Sequence, residues 1–192
     1  MRDEYFLNIC KAVGAGSKCL SRQIGAIIVK NNSVISTGYN GPPKGITHCR
    51  DRLLRDDNLL ERLRCIGYDI PEEEGTIWFR YNDGSVSDAI LTECPRYLLG
   101  AKSGEMTDIC PATHAEVNAI IQSPVNVGGC SIYMDCPVPC SGCLKIIINA
   151  EIKEIVCTSL DFYDNMSKYL LNDSMNLTVR TYDGEYYKRW KN

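Results

Sequence analysis

Cys110-Pro-Ala-Thr-His-Ala-Glu-Val-Asn-Ala-Ile-Ile121, read together with Pro139-Cys-Ser-Gly-Cys143, decides how this chain folds and what chemistry it can hold. The first stretch carries His114-x-Glu116 and the second carries Cys140-x-x-Cys143. Each follows turn residues and opens a predicted helix, with a predicted strand between them. One imidazole and two thiolates make a three-ligand zinc set, which leaves the fourth position for water and lowers its pKa to about 7. A carboxylate must then move the proton of that water, and Glu116 is the candidate. It lies two residues from His114, and residues so spaced do not share a helix face, so it reads as a neighbour of the water rather than a ligand. Cys-x-x-Cys alone also fits a structural zinc knuckle or a redox pair. Joined to His-x-Glu in this order, it favours a catalytic zinc. Cys136-Pro-Val-Pro-Cys140 offers a competing pair of thiols. Only Cys140 and Cys143 have the i, i+3 spacing at a helix start, where the positive helix end favours thiolate over thiol.

Working outward, Tyr5, Phe6, Ile9, Cys10 and Val13 recur at helical spacing over residues 3–15, and Gly14 and Gly16 end that helix. Residues 23–29 are rich in β-branched side chains and predict a strand; Lys30-Asn-Asn32 is a turn, and residues 33–39 the returning strand of a hairpin. Asn40-Gly-Pro-Pro-Lys-Gly45 is either an ordinary stiff connection or a wall of a ligand site. The charged stretch 50–64 predicts one helix, 71–74 a loop, and residues 76–86 a small hairpin turning at Asn82-Asp-Gly84. Trp78, Phe79 and Tyr81 read better as a mini-core than as a base-stacking platform. Thr113 is a candidate helix cap for residues 114–122. Strands follow at 130–135, 153–158 and 177–181, and helices at 141–150 and 165–171. Strands alternating with helices after a hairpin imply an α/β fold, a mixed sheet with helices on both faces. Both ligand segments then open helices at the same sheet edge and can share one ion.

Composition narrows the function classes. A chain of 192 residues with 44% apolar content is one domain, 1–192, with a real core. A net charge of −3 argues against a general nucleic-acid binder. The start, Met1-Arg-Asp-Glu-Tyr-Phe6, lacks the apolar core of a signal peptide, and no apolar run approaches membrane-spanning length. The reading is therefore a cytoplasmic protein with no membrane and no nucleic-acid partner. Eleven cysteines in that setting suggest metal ligands and buried thiols rather than a disulfide framework.

His-x-Glu followed by Pro-Cys-x-x-Cys is the pattern of zinc nucleobase deaminases, and further blocks sharpen the likeness. Ser17-Lys-Cys-Leu-Ser-Arg-Gln-Ile-Gly-Ala26, Thr37-Gly-Tyr-Asn-Gly-Pro-Pro-Lys-Gly45, Cys94-Pro-Arg-Tyr-Leu-Leu-Gly-Ala-Lys-Ser-Gly-Glu105 and His114-Ala-Glu-Val-Asn-Ala-Ile120 resemble the deoxycytidylate (dCMP) deaminase family, within the cytidine-deaminase-like superfamily. The resemblance covers residues 1–50 and 94–160, and leaves 51–93 as an inserted subdomain. It implies a three-layer α/β/α fold around a mixed five-stranded sheet. It implies zinc on His114, Cys140 and Cys143, Glu116 as proton shuttle, and hydrolytic deamination of dCMP to dUMP and ammonia for dTMP synthesis. Asn40 would contact the deoxyribose, and the loop with Asn40, Gly41, Lys44 and Gly45 would sense dCTP as activator and dTTP as inhibitor, in a homo-oligomer, commonly a hexamer. Ala115, Arg22 and Tyr163 are further substrate-binding candidates; Arg22 and Lys44 equally fit solvated surface charge, and Tyr163 equally fits core. Some relatives hold a second, structural zinc, and the matching positions here are Cys19, Cys49, Cys94 and Cys110, with His48 or Cys65 as substitutes. Four separate buried thiols are the plainer alternative. The same chemistry on dCTP or cytidine, and a catalytically silent zinc or nucleotide binder, stay open at this point.

Overall fold

A computed structural model describes residues 2–68, 79–80, 86–87, 92–102 and 104–188. In chain order its elements are α1 (Arg2–Gly14), β1 (Gly25–Lys30), β2 (Ser33–Tyr39), α2 (Cys49–Arg52), α3 (Asp57–Cys65), β3 (Phe79–Arg80), β4 (Val86–Ser87), α4 (Pro95–Leu98) and a single 3-10 turn at Thr107–Ile109. There follow α5 (Ala115–Ile121), β5 (Ser131–Met134), α6 (Ser141–Asn149), β6 (Glu154–Cys157), α7 (Asn165–Asp173), β7 (Thr178–Thr181) and β8 (Tyr186–Lys188). The chain divides into two compact units, one of residues 1–17, 23–41 and 113–192, the other of 18–22 and 42–112.

The first unit is built on a mixed sheet in the order β2-β1-β5-β6-β7-β8. β1 runs antiparallel to β2 and β5, β5-β6-β7 are parallel, and β8 is antiparallel to β7. Asn31 and Asn32 turn the first hairpin with φ of 49° and 64°, the left-handed pair that a type I′ turn requires. Alternation along the central strands sorts their side chains to two faces. Ala26, Ile28, Ile132, Met134, Ile155 and Cys157 pack with Ala115 and Ala119 of α5, Leu144 and Ile147 of α6, and Leu171 of α7. Ile27, Val29, Tyr133 and Val156 face the other way, onto Phe6 and Cys10 of α1. The sheet is therefore covered on both faces, which is the three-layer α/β/α arrangement expected. Arg180 on β7 ties α1 down by donating to Asp3 at 2.8 Å and to Glu154 on β6 at 2.9 Å.

The expected five-stranded sheet is corrected to six strands among the described residues. β8 is only three residues long and half polar, so it carries little periodic signal. Asp183-Gly184 was its clue, because Gly184 takes φ 92° and Thr181 N–H donates to Glu185 O at 2.8 Å to close the hairpin.

The second unit has its own small core of Leu53, Leu59, Leu60, Leu63 and Leu98. The single helix expected over 50–64 is broken into α2 and α3. Asp56 leaves helical geometry (φ −94°, ψ 93°), caps α3 by accepting from Leu59 N–H, and pairs with Arg52 at 2.6 Å. That cap starts a new helix where the charge pattern alone showed a continuous one. Of the small hairpin, Phe79 pairs with Ser87 and Arg80 with Val86. The loop at 71–74, the turn at 82–84, and the Trp78, Phe79 and Tyr81 side chains lie outside the described residues.

Candidate active site

α5 and α6 start on the same face of the sheet, and each places a ligand at its N-cap, His114 for α5 and Cys140 for α6. Cys143 follows one turn into α6. Thr113 does not cap α5 as the sequence suggested. Its backbone instead pairs with Gly41, donating N–H to Gly41 O at 2.8 Å and accepting from Gly41 N–H at 3.1 Å. That bridge locks the residue before His114 to the end of β2.

His114 Nδ1 lies 3.5 Å from Cys140 Sγ and 3.3 Å from Cys143 Sγ. A zinc about 2.3 Å from sulfur and about 2.0–2.1 Å from nitrogen, at tetrahedral angles, sets nitrogen and sulfur about 3.6 Å apart. The donor set therefore fits zinc in type and spacing, with Nδ1 as the ligating nitrogen. Among the described residues, this is the group of three or more histidine, cysteine or acidic side chains whose ligand atoms all fall within 4.8 Å. Cys136, buried nearby, is not in it, which settles the competition between the two thiol pairs for Cys140 and Cys143. His114 is exposed and Cys143 buried, so the site opens on the imidazole side.

The hydrogen bond from Cys143 is the largest reason that the Cys140 thiol is held down at about 4, with His114 adding to it. Giving that bond, then burial and the Glu116 carboxylate, pushes the Cys143 thiol up. Glu116 sits in the first turn of α5, only 4% exposed. Burial raises its pKa above the ordinary carboxylate range, against the pull of His114 and a hydrogen bond with Cys143. A carboxyl group so placed stands beside the ligand atoms without being one of them, where it is able to exchange a proton.

β2 holds α5 in place by close contact. A Cβ on Gly38 would lie 2.2 Å from Ala119 N and 2.5 Å from Ala115 O, so only glycine lets helix and strand approach this far. Ser36 Oγ donates to Ala119 O at 2.6 Å and Asn118 Nδ2 to Tyr39 O at 2.8 Å. Of the other candidates, Asn40 is buried, and its Oδ1 accepts from Ile24 N–H at 2.8 Å. Ala115 is fully buried. Tyr163 is 37% exposed, in the segment between β6 and α7. Arg22, Lys44 and Gly45 belong to the second unit, as do Cys19, Cys49, Cys94 and Cys110. Burial, then the charges of Cys110, Cys94 and Cys19, push the Cys49 thiol up to about 11 against the pull of Arg52. No three of them close to 4.8 Å. Sequence reasoning missed Ser36, Asn118 and Asp164. Asn118 stands inside the His114–Ile120 block but carries no metal or proton chemistry there, and Ser36 and Asp164 stand in no motif.

Comparison with known proteins agrees with this geometry. Residues 1–159 match the family model of the cytidine and deoxycytidylate deaminase zinc-binding region. The deoxycytidylate deaminase of Enterobacteria phage T4 is 31% identical over 165 residues, 84% of this chain and 80% of that protein. The mouse (Mus musculus) deoxycytidylate deaminase is 30% identical over 190 residues, 96% of this chain and 82% of that protein. Against the fission yeast (Schizosaccharomyces pombe) deoxycytidylate deaminase, 28% identical over 155 residues, the chain spans 36% of the relative's length. The dCMP deaminase of cyanophage S-TIM5, solved with dCMP and dUMP, shares the fold at a TM-score of 0.54 and 20% identity, over 93% of this chain and 94% of that one. With residues 1–159 matching the family's zinc-binding region and three donors gathered at zinc spacing, the chain belongs to the cytidine and deoxycytidylate deaminase family.

Proposed function

We propose that this deaminase converts dCMP to dUMP with release of ammonia, and so supplies dUMP for dTMP synthesis. The observation that carries the reading is the complete donor set of His114, Cys140 and Cys143, with Glu116 buried beside Cys143, in a chain about one-third identical to the phage T4 deoxycytidylate deaminase. Zinc, when bound, lowers the pKa of a water in its fourth position to about 7 and so supplies the nucleophile. Glu116 takes one proton from the attacking water and gives it to N3 of the cytosine ring, then takes the second from the hydroxyl formed on C4 and gives it to the departing amine as the C4–N bond breaks and the C4 carbonyl forms. Its burial supports this role, because a raised pKa lets it hold a proton between the two transfers. Asn40, Ala115, Arg22 and Tyr163 are read as substrate contacts, with Arg22 serving the 5′-phosphate.

dCTP and dTTP would act at the loop of Asn40, Gly41, Lys44 and Gly45. The two hydrogen bonds between Gly41 and Thr113 support this, since they join that loop to the residue before a zinc ligand. A second, structural zinc on Cys19, Cys49, Cys94 and Cys110 is read from the residue types: Cys110, Cys94 and Cys19 lie within electrostatic reach of Cys49, and no three of the four bring their sulfurs within 4.8 Å of one another. We read residues 51–93 as an insertion in a single domain, the assembly as a homo-oligomer of hexameric type, and the compartment as the cytoplasm. The last is supported by eleven free thiols. Among the described residues no helix is long and apolar enough to cross a membrane.

Saturation kinetics on dCMP test the reading, with dUMP and ammonia measured together. One ammonia per dUMP is the expected stoichiometry, with activation by dCTP and inhibition by dTTP. Turnover indifferent to both triphosphates would remove the effector role from the loop. Metal analysis tests the second zinc: two ions per chain are expected, falling to one in Cys94→Ser. One ion in the parent chain would leave the four cysteines as buried thiols.

A further inference from the structure

Cys140 takes the N-cap position of α6, yet its side chain bonds no backbone N–H of that helix. A sulfur committed to a metal cannot cap. The N–H of Ser141, first in α6, is instead taken by Asp164 Oδ2 at 3.2 Å. Asp164 is at the same time the N-cap of α7. Its Oδ1 accepts from Ser167 N–H at 2.7 Å, and its Oδ2 accepts from the buried Ser167 Oγ at 3.0 Å. One carboxylate thus joins the starts of two helices, reaching back 23 residues from Asp164 to Ser141. Burial pushes its pKa up, but the hydrogen bonds from Ser167 and Ser141 outweigh that and hold it below the ordinary carboxylate range. It is therefore charged and accepting at neutral pH.

We propose that Asp164 is a positioning residue of the metal centre, holding the Cys140–Cys143 turn at ligand spacing through the N–H of Ser141. It acts through α6 and touches none of the reacting atoms. The inference rests on reading His114, Cys140 and Cys143 as the zinc site. The rival account is that Asp164 only caps α7, and the two accounts separate at Ser141. Asp164→Asn keeps Oδ1 for α7 and turns an NH2 group toward the Ser141 N–H, donor against donor. Ser141→Pro removes the same bond from the other side. Proline suits the first helical position because its missing N–H needs no partner there. Cys140, at φ −64° and ψ 162°, already has the backbone a residue before proline prefers. Asp164 and the cap of α7 stay intact in that variant.

The test is zinc affinity of the full chain, by competition with a chromophoric chelator, together with the absorption spectrum of the cobalt(II)-substituted protein. Asp164→Asn and Ser141→Pro are each expected to weaken zinc about 10–100-fold, as loss of groups that orient ligands does. Both are expected to shift the thiolate-to-cobalt bands, and the double variant is expected to lose no more than either alone. Zinc affinity and cobalt bands unchanged in Ser141→Pro would overturn the proposal whatever Asp164→Asn does, because that outcome is the one a cap of α7 alone gives. A parent chain that binds no zinc would overturn the metal-site reading itself, which the same titration shows separately.

Discussion

Glu116→Ala is expected to bind zinc within about threefold of the parent chain and to turn over dCMP about 10²–10⁴-fold more slowly, the usual contribution of a positioned proton-transfer group. The two halves of that result come from different atoms. The ligand set is His114 Nδ1, Cys140 Sγ and Cys143 Sγ, and Glu116 is not among the ligand atoms that close to 4.8 Å. Removing its carboxylate therefore leaves the donors in place, and relieves the negative charge that helps push the Cys143 thiol up. The proton path has no such redundancy. Glu116 is nearly fully buried in the first turn of α5, and in that turn it is the acidic residue. Metal content by atomic absorption and kcat on dCMP are the two readouts. Near-parental turnover would remove Glu116 from its role, and loss of zinc would make it a ligand or a fold residue instead.

The second large effect lies outside the reacting atoms. Gly38→Ala is expected to cut turnover about 10²-fold, because a misplacement of about 1 Å is enough for that. The new Cβ would stand 2.2 Å from Ala119 N and 2.5 Å from Ala115 O, contacts with helix backbone that no rotamer change relieves. α5 must move off β2, and it carries Glu116 and is capped by His114. Such overpacking also costs about 1–3 kcal/mol in stability, so denaturation midpoints are read alongside kinetics. The expected pattern is a folded protein, destabilised, with zinc affinity and kcat both reduced. Parental activity with the same loss of stability would mean that α5 yields without moving the site.

The two motifs were enough to place the site. His114, Cys140 and Cys143 were legible because metal chemistry restricts residue type and spacing so tightly, and helix starts were legible from their turn residues. The layer order followed from strands alternating with helices after a hairpin, and residues 25–29 of β1 are buried on both faces. Elements whose formation depends on one local bond were not legible. Asp56 breaks a charged helix by capping a new one, and β8 exists because a tight turn returns a short polar strand to β7. Thr113 had the composition of a cap, yet its backbone was needed by Gly41. The couplings that steady the site, Gly38 on α5 and Asp164 on Ser141, join residues 77–81 and 23 positions apart. No local pattern in a single sequence encodes such a pairing.

The most direct test of the account is a competition. Zinc-loaded protein is given an equimolar mixture of dCMP, dCTP and cytidine, and the deaminated products are resolved and counted. The account predicts dUMP as the dominant product, with none formed after zinc is removed by chelation and restored on its return. dUTP or uridine as the dominant product would keep the zinc chemistry of His114, Cys140, Cys143 and Glu116 but contradict the substrate, and no product from zinc-loaded protein would contradict the enzyme.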